Sequence, residues 1–375
     1  MDCGTYSWLR TGDEVFAAML AAINAARDSV RLETYIFSPG AIADRFCDAL
    51  VRASERGVRV RVLLDAFGSL NVNESYWSPF KQAGGEFRWF NPLHLGRWTF
   101  RDHRKLLVGD ESTAFVGGYN IAAEYEGDGV KRGWRDLGLR LSGPLVRELA
   151  DAFDAQFAAA DMPHRLFTRL RKSSARQAIA CPDGELLLSG PGRGRNAIKR
   201  ALLADLATAR HVRIVAAYFL PTVRLRRALM RAARHGAQVQ LILPAKSDMT
   251  LSQLASHSFY HRLLRAGVEV YEYQPQVLHT KLVVVDHAVY VGSSNLDARS
   301  LHINYELMLR LTPPPVRAEA ESIFAEHLAH ARRIPRRAWP RSRTCWNKLK
   351  ERWACFLLAR LDPLLMRRQL KRLQK

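Results

Sequence analysis

One chemical phrase occurs twice in this chain, about half its length apart. The first copy runs His103-Arg104-Lys105, then Asp110 and Gly117-Gly118-Tyr119-Asn120; the second runs His279-Thr280-Lys281, then Asp286 and Gly292-Ser293-Ser294-Asn295. Both read H-x-K-x4-D, a short apolar run, then G-[GS]-x-N. A single His-x-Lys pair arises by chance on exposed strands, whereas two long copies in register need a physical cause: two similar folded units in one chain.

The duplication reaches beyond the motifs. In the first half the periodicity predicts a helix over Asp13 to Arg27 and an apolar strand over Val30 to Phe37, ending at Pro39. A helix over Ala41 to Arg56 then stops at Gly57, and the alternating strand Val58 to Leu64 follows. The second half repeats the order with a helix over Ala197 to Ala209, a strand over His211 to Phe219, Pro221, a helix to His235, Gly236 and the strand Val239 to Leu243. Gly57 precedes His103 by 46 positions and Gly236 precedes His279 by 43. The chain therefore reads as two similar α/β lobes, and right-handed crossovers predict a largely parallel sheet in each. The boundaries expected are residues 1–160 for the first lobe, 161–184 for a linker, 185–330 for the second lobe and 331–375 for a tail. A length of 375 residues suffices for two buried cores.

Each copy has the groups needed to bind and attack a phosphodiester. Residues i and i+2 of an extended segment share a face, so His103 with Lys105, and His279 with Lys281, point the same way. Lysine supplies charge for phosphate oxygens, Asn120 and Asn295 supply amide donors, and a histidine can act as nucleophile or acid near neutral pH. Leu106 to Val108 and Leu282 to Val285 suit buried strands. Gly117-Gly118 and Gly292-Ser293 suit a turn where backbone approaches a ligand.

At these residues the chain resembles the phospholipase D superfamily, whose signature is the duplicated H-x-K-x4-D motif, over nearly all of residues 5 to 315. Within it the chain is most similar to the bacterial cardiolipin synthase family, in the form without N-terminal membrane spans. Supporting phrases are Trp134-Arg135-Asp136 with Ser142-Gly143-Pro144, and Asn295-Leu296-Asp297-Ala298-Arg299-Ser300 with Asn304-Tyr305-Glu306. Gly118 stands where the family often has Ser, so one hydroxyl contact to phosphate is missing from the first half while Ser293 keeps it in the second. The resemblance implies phospholipase D-like lobes packed with pseudo-two-fold symmetry, their active site at the interface. It also implies a two-step displacement through a phosphohistidine, with His103 as nucleophile and His279 as acid; the reverse assignment stays open. Each histidine then needs an acceptor for its other ring nitrogen, and Asp136 and Glu306 are the candidates. Asp110 and Asp286 belong to the catalytic signature with His103, Lys105, His279 and Lys281, but strand alternation and distance predict a structural salt-bridge role for them. Phosphate-binding residues would be Asn120, Ser293 and Asn295.

No cofactor and no metal is expected. The five cysteines lack metal-type spacing and read as reduced thiols in a cytosolic setting. Gly190-Pro191-Gly192-Arg193-Gly194 lacks the Gly-Lys-Ser/Thr ending of a nucleotide loop and reads as the lead-in to the second lobe. The start has no signal sequence, and no apolar stretch reaches the roughly 18 residues of a spanning helix, so membrane contact is expected to be peripheral, on the cytoplasmic side.

The formal net charge of +21 is concentrated at the end, where residues 331–375 hold fifteen Lys or Arg against Glu351 and Asp362. Trp346, Leu349, Trp353, Phe356 and Leu357 follow helical spacing, and Asp362-Pro363 reads as the start of a further short helix. A basic amphipathic helix with aromatic anchors suits an anionic membrane surface; a core-docked helix and contact with nucleic acid are the alternatives. The partners expected are an anionic phospholipid substrate, phosphatidylglycerol with phosphatidylethanolamine as a second option, and the membrane surface, with nucleic acid disfavoured. Transfer between two phosphatidylglycerols would give cardiolipin and glycerol. A hydrolytic phospholipase D, a DNA phosphodiesterase and a non-catalytic lipid binder remain alternatives.

Overall fold

The computed structural model describes residues 4–92, 100–160, 177–191 and 196–358. The first lobe runs β1 (Tyr6–Leu9), α1 (Gly12–Ala25), β2 (Ser29–Thr34), α2 (Ala41–Glu55), β3 (Arg59–Asp65), α3 (Ser78–Gln82), β4 (Glu86–Phe90), β5 (Leu106–Gly109), β6 (Thr113–Gly117), β7 (Gly138–Ser142) and α4 (Leu145–Ala160). The second begins with β8 (Ala178–Cys181), β9 (Gly184–Ser189) and α5 (Ala197–Asp205), then repeats the plan. Its β10 (His211–Ala216), α6 (Val223–Arg234), β11 (Gln238–Pro244), α7 (Thr250–Arg265), β12 (Glu269–Tyr273), β13 (Lys281–Val285), β14 (Ala288–Gly292), β15 (Glu306–Leu311) and α8 (Pro314–Ala329) are followed by β16 (Ala331–Arg333) and α9 (Cys345–Phe356).

Helix ends fall where local chemistry puts them. Thr11 and Glu14 close a capping box on α1. After α2 and α6 the chain passes through Gly57 (φ +84°) and Gly236 (φ +93°), left-handed positions that glycine takes without a Cβ penalty.

The sheets have strand orders β1-β7-β6-β5-β2-β3-β4 and β16-β12-β11-β10-β13-β14-β15-β9-β8. Without the edge strands, β7-β6-β5-β2-β3-β4 matches β15-β14-β13-β10-β11-β12 position for position, which is the expected internal repeat. The expectation of largely parallel sheets is corrected. Among the strands of the described residues, only β2-β3, β3-β4, β10-β11 and β11-β12 pair in parallel; their other neighbours are antiparallel. The reason lies in the connections, because the motif strands β5 and β13 turn straight back as β6 and β14, and a hairpin can only pair antiparallel.

Strand alternation divides the interior into three cores. Leu106 and Val108 of β5, with Leu282 and Val284 of β13, join one cluster shared by both lobes and covered by α4 and α8. Leu107 faces the other way, into a first-lobe core under α1 and α2, and Val283 and Val285 face a second-lobe core under α5, α6 and α7. The shared cluster ties the lobes together, since separating them would expose residues such as Phe153, Leu282 and Leu307, each worth about 1.5–3 kcal/mol when buried.

Two boundaries move. The segment expected as linker already forms β8 by residue 178, paired with β9, while residues 161–176 lie outside the described residues. The expected tail begins as β16, paired with β12, and Ile334 N donates to Val270 O. Residues 331–334 thus belong to the second lobe. The helix expected at Trp346 to Leu357 is α9; the one expected after Asp362, like Gly192 to Gly194, lies outside the described residues. No helix among the described residues is long and apolar enough to cross a membrane.

Candidate active site

Both histidines sit where the motif strands begin, at the ends of the sheets that meet across the seam. Backbone hydrogen bonds lock them to the opposite lobe: His103 N donates to Tyr305 O (3.0 Å) and Tyr305 N to Arg101 O (2.9 Å). The second copy does the same, with His279 N to Arg135 O (2.7 Å) and Arg135 N to Val277 O (2.8 Å). Each histidine segment therefore lies beside the residue that leads into the other lobe's acid.

The side chains cross in the same way. His103 Nδ1 lies 3.0 Å from Glu306 Oε2, and His279 Nδ1 lies 2.6 Å from Asp136 Oδ2. Neither lobe holds a complete histidine–carboxylate pair. Both predicted orienting residues are thereby brought to the site, each serving the histidine of the partner lobe. All four side chains are buried.

Burial governs the protonation states. It lowers His103, an effect that Glu306 partly offsets, and together with the neighbouring Lys281 it pulls His279 down to about 4 despite Asp136. Burial alone would raise Glu306, yet the His103 imidazole and Lys105 outweigh it and hold the carboxyl below its usual value. With both imidazoles lowered and Glu306 held down, the rings are neutral near pH 7 and Glu306 is ionised. His103 is then fixed as the Nδ1–H tautomer donating to Glu306, which leaves the Nε2 lone pair free. Burial also pulls Lys105 down to about 7 and lowers Lys281 from its ordinary value. Lys105 Nζ donates to His103 O (2.7 Å); Lys281 Nζ lies 2.7 Å from His279 Nδ1 and also donates to His279 O.

The remaining predicted residues divide. Asp110 and Asp286 stand at the far ends of β5 and β13, away from the histidines, and the nearest cationic side chain to Asp286 among the described residues is His211, whose Nδ1 lies 3.8 Å from Oδ1. Asp110 instead accepts from the backbone N–H of Arg27, Asp28 and Ser29, and Asp286 from those of Arg210 and His211. They pin the starts of β2 and β10 from left-handed turn positions (φ +50° and +46°), chiefly through backbone hydrogen bonds where a salt bridge is expected. Ser293, expected at the phosphate, donates to Glu306 Oε2 (2.5 Å) and accepts from Leu307 N. Asn120 is held too: its amide donates to Tyr125 Oη (2.7 Å) and its oxygen accepts from Ile36 N. The Asn295 carboxamide oxygen is buried without a hydrogen-bond partner.

Sequence reasoning missed Tyr125, whose hydroxyl lies 3.3 Å from His279 Nδ1, and the seam role of Arg135, which binds Glu326 (2.6 Å) on α8. Neither carries a spacing signal. Their partners are 154 and 191 positions away.

Gly118 occupies the place of Ser293, and the structure accounts for it. A Cβ there would sit 2.2 Å from Asp136 Oδ1, so the first lobe pairs no side chain with the shorter acid, where the second pairs Ser293 with Glu306. Gly118→Ser is expected to displace Asp136 and lower kcat about tenfold or more, with partial recovery in Gly118→Ser/Asp136→Glu, which copies the second lobe. Steady-state kinetics of the two variants checks this; an unimpaired Gly118→Ser enzyme would contradict it.

Comparison with known proteins agrees with the two-lobe fold. The family described as "Cardiolipin synthase, PLD-like domain" matches residues 19–159 and 202–328, one stretch per lobe. The chain is 32% identical over 357 residues to cardiolipin synthase B of Salmonella typhimurium, covering 91% of this chain and 84% of the relative. It is 31% identical over 347 residues to the major cardiolipin synthase of Bacillus subtilis, covering 91% and 72%. Among solved structures, phosphatidylserine synthase of Haemophilus influenzae shares the fold with a TM-score of 0.76 at 15% identity, over 96% of this chain and 94% of that one. With the repeat, the crossed histidine–carboxylate pairs and these matches together, the chain belongs to the cardiolipin synthase, PLD-like domain family.

Proposed function

We propose that this chain is a cardiolipin synthase, a phosphatidyl transferase that converts two phosphatidylglycerols into cardiolipin and glycerol. The observation that carries the reading is the crossed pairing of His103 with Glu306 and His279 with Asp136. His103 Nε2 attacks the phosphorus of one phosphatidylglycerol, and the departing glycerol oxygen takes a proton from His279. A hydroxyl of the second phosphatidylglycerol then gives its proton back to His279 and attacks the phosphohistidine, which frees His103. Burial keeps His279 neutral near pH 7, so it takes up its proton when the phosphodiester anion lies beside it, with Asp136 stabilising the imidazolium. Lys105 and Lys281 supply the charge that stabilises the oxygens in the transition state. One phosphodiester is exchanged for another, so no energy source is needed.

The test is to incubate purified protein with labelled phosphatidylglycerol, phosphatidylethanolamine and single-stranded DNA in EDTA and to identify the products. Cardiolipin and glycerol are expected, undiminished by the chelator because the lysines provide the cationic charge. Phosphatidic acid alone would make the protein a hydrolase, cleaved DNA a phosphodiesterase, and activity restored by added Zn²⁺ or Mg²⁺ would overturn the metal-free mechanism.

The enzyme works at the cytoplasmic membrane surface, held there by α9. Ala354 and Glu351 of this helix are buried against the second lobe, while Trp346, Leu349, Trp353 and Phe356 point outward with 62%, 47%, 59% and 49% exposure. The helix is therefore core-docked through one face and presents its aromatic face to the surroundings, which suits an anionic lipid interface. Trp346→Ser/Leu349→Ser/Trp353→Ser is expected to weaken binding to phosphatidylglycerol vesicles at least about tenfold, since each apolar side chain is worth up to ~1.5–3 kcal/mol when buried. Melting temperature and turnover of a soluble phosphodiester should stay the same. Unchanged vesicle sedimentation would exclude α9 as the anchor.

A further inference from the structure

A second cavity lies away from the histidines, between α6, α7 and α9. It encloses about 780 Å³, within the range of small-molecule sites, and its rim includes Ala298 and His302, shortly after Asn295 of the second motif. Five cations, Arg226, Arg262, Arg343, Lys348 and Arg352, line it against the single carboxylate of Glu351. That carboxylate is already engaged by Arg343, which also stacks on Trp339 (4.4 Å) and donates to His257 Nδ1 (3.1 Å). Arg343 thus fastens the C-terminal segment to α7 and engages the one carboxylate among the described residues that line the cavity.

Arg226 is left over. Its guanidinium lies over the Phe259 ring at 4.9 Å, its Nε is buried without a hydrogen-bond partner, and no carboxylate among the described residues forms an ion pair with it or with Arg262. Burial lowers the Arg226 pKa, and the nearby positive charge of Arg262 lowers it further. Two guanidinium groups facing one cavity with no anion between them make an incomplete electrostatic arrangement, which a phosphate would complete. Apolar side chains share the walls with these cations: Phe259 lies under Arg226, Trp339 lines one side, and Phe356 and Val223 stand half-exposed at 49% and 51%. A free phosphate would satisfy the arginines and leave these surfaces wet. A ligand with both a phosphate and hydrocarbon chains satisfies both.

We propose that this groove binds one molecule of an anionic phospholipid, its phosphate held by Arg226 and Arg262 and its chains against Phe259, Trp339 and Phe356, separate from the lipids reacting at His103 and His279. The groove is continuous with the outward face of α9 through Phe356, so a lipid can enter it from the surface on which that helix rests. This inference rests on the lipid-transfer reading above and adds a second, non-reacting lipid to it.

The test uses the full chain and dihexanoylphosphatidylglycerol below its micelle concentration. Cys355 lines the groove and Cys345 is exposed at the start of α9, so alkylation mapped by peptide mass spectrometry reports occupancy directly. The lipid is expected to slow alkylation of Cys355 at least fivefold and to leave Cys345 unchanged. Dihexanoylphosphatidylcholine and glycerol 3-phosphate at equal concentration should protect far less, the first for want of net charge and the second for want of chains. Arg226→Gln/Arg262→Gln should lose the protection while turning over soluble bis(p-nitrophenyl) phosphate at the normal rate. Equal protection by glycerol 3-phosphate would make the groove a free-phosphate site, and equal protection by the zwitterionic lipid would remove the role of the arginines. Protection by an oligonucleotide in place of lipid, or undiminished protection in the double variant, would also overturn the proposal. So would lipid protection that appears only in a chain ending at residue 358, because it would assign the groove to the chain's own C-terminal segment. A failure of the transfer reading is distinguishable: Cys355 would be protected in a protein that makes no cardiolipin.

Discussion

Replacing either His103 or His279 with alanine is expected to lower turnover about 10³-fold or more, and replacing both to cost little beyond either alone. In the proposed mechanism the two rings serve one displacement, one forming the bond to phosphorus and the other moving the proton, so loss of either removes the shared pathway. Both residues are under 10% exposed, which limits the access of water that could stand in for an imidazole. Acid-quenched His279→Ala enzyme, given labelled phosphatidylglycerol, should retain a phosphatidyl adduct on His103, because attack can still occur slowly while resolution is impaired. The defined tautomer of His103, with Nδ1–H on Glu306, supports this direction. The low value of about 4 at His279 opposes proton donation until substrate binds. An adduct on His279 in His103→Ala enzyme would reverse the roles, and a variant that keeps near-normal turnover would remove its histidine from the mechanism.

Glu306→Gln and Asp136→Asn are each expected to lower kcat about 10²-fold or more with a smaller change in KM. Each amide keeps the size of the acid but removes the charge that fixes the imidazole tautomer and stabilises the imidazolium. The pH profile separates this from simple damage to the fold. Glu306 raises the pKa of His103, so without its charge His103 protonates only at lower pH, and the acidic limb of kcat/KM should move down in Glu306→Gln. A large loss of rate with an unmoved acidic limb would assign Glu306 a structural role. The same change should loosen Ser293, whose hydroxyl donates to that carboxylate at 2.5 Å.

Much of this was readable from local patterns. The apolar period of two in Leu106 to Val108 and Leu282 to Val285, and the glycine stops at Gly57 and Gly236, depend on neighbours a few residues away. The elements they predict are present to within a few residues at most ends. Strand direction was misread because the pattern of an apolar run does not encode it: the hairpin turns at Asp110 and Asp286 decide it, and those residues were read as partners for cations. Ser293 was likewise read as a phosphate ligand because a hydroxyl beside a glycine turn suits either phosphate or a neighbouring acid. Which one it meets depends on where β15 places Glu306.

The amino-acid sequence by itself determined that there are two similar α/β units, that His103, His279, Asp136 and Glu306 are the candidates for the chemistry, and that the C-terminal segment is basic and amphipathic. These are properties of composition and short-range period. The tertiary structure decided the pairing. His103 finds its acid 203 positions away and His279 finds its own 143 positions away, each in the opposite lobe, because the shared core and the backbone bridges at the seam set the two repeats face to face. Symmetry between two units constrains what each contains, but it leaves open whether a histidine meets the acid of its own unit or of the other. Only packing across the seam settles that, since the distance between side chains depends on how the lobes dock and not on the spacing of residues along the chain.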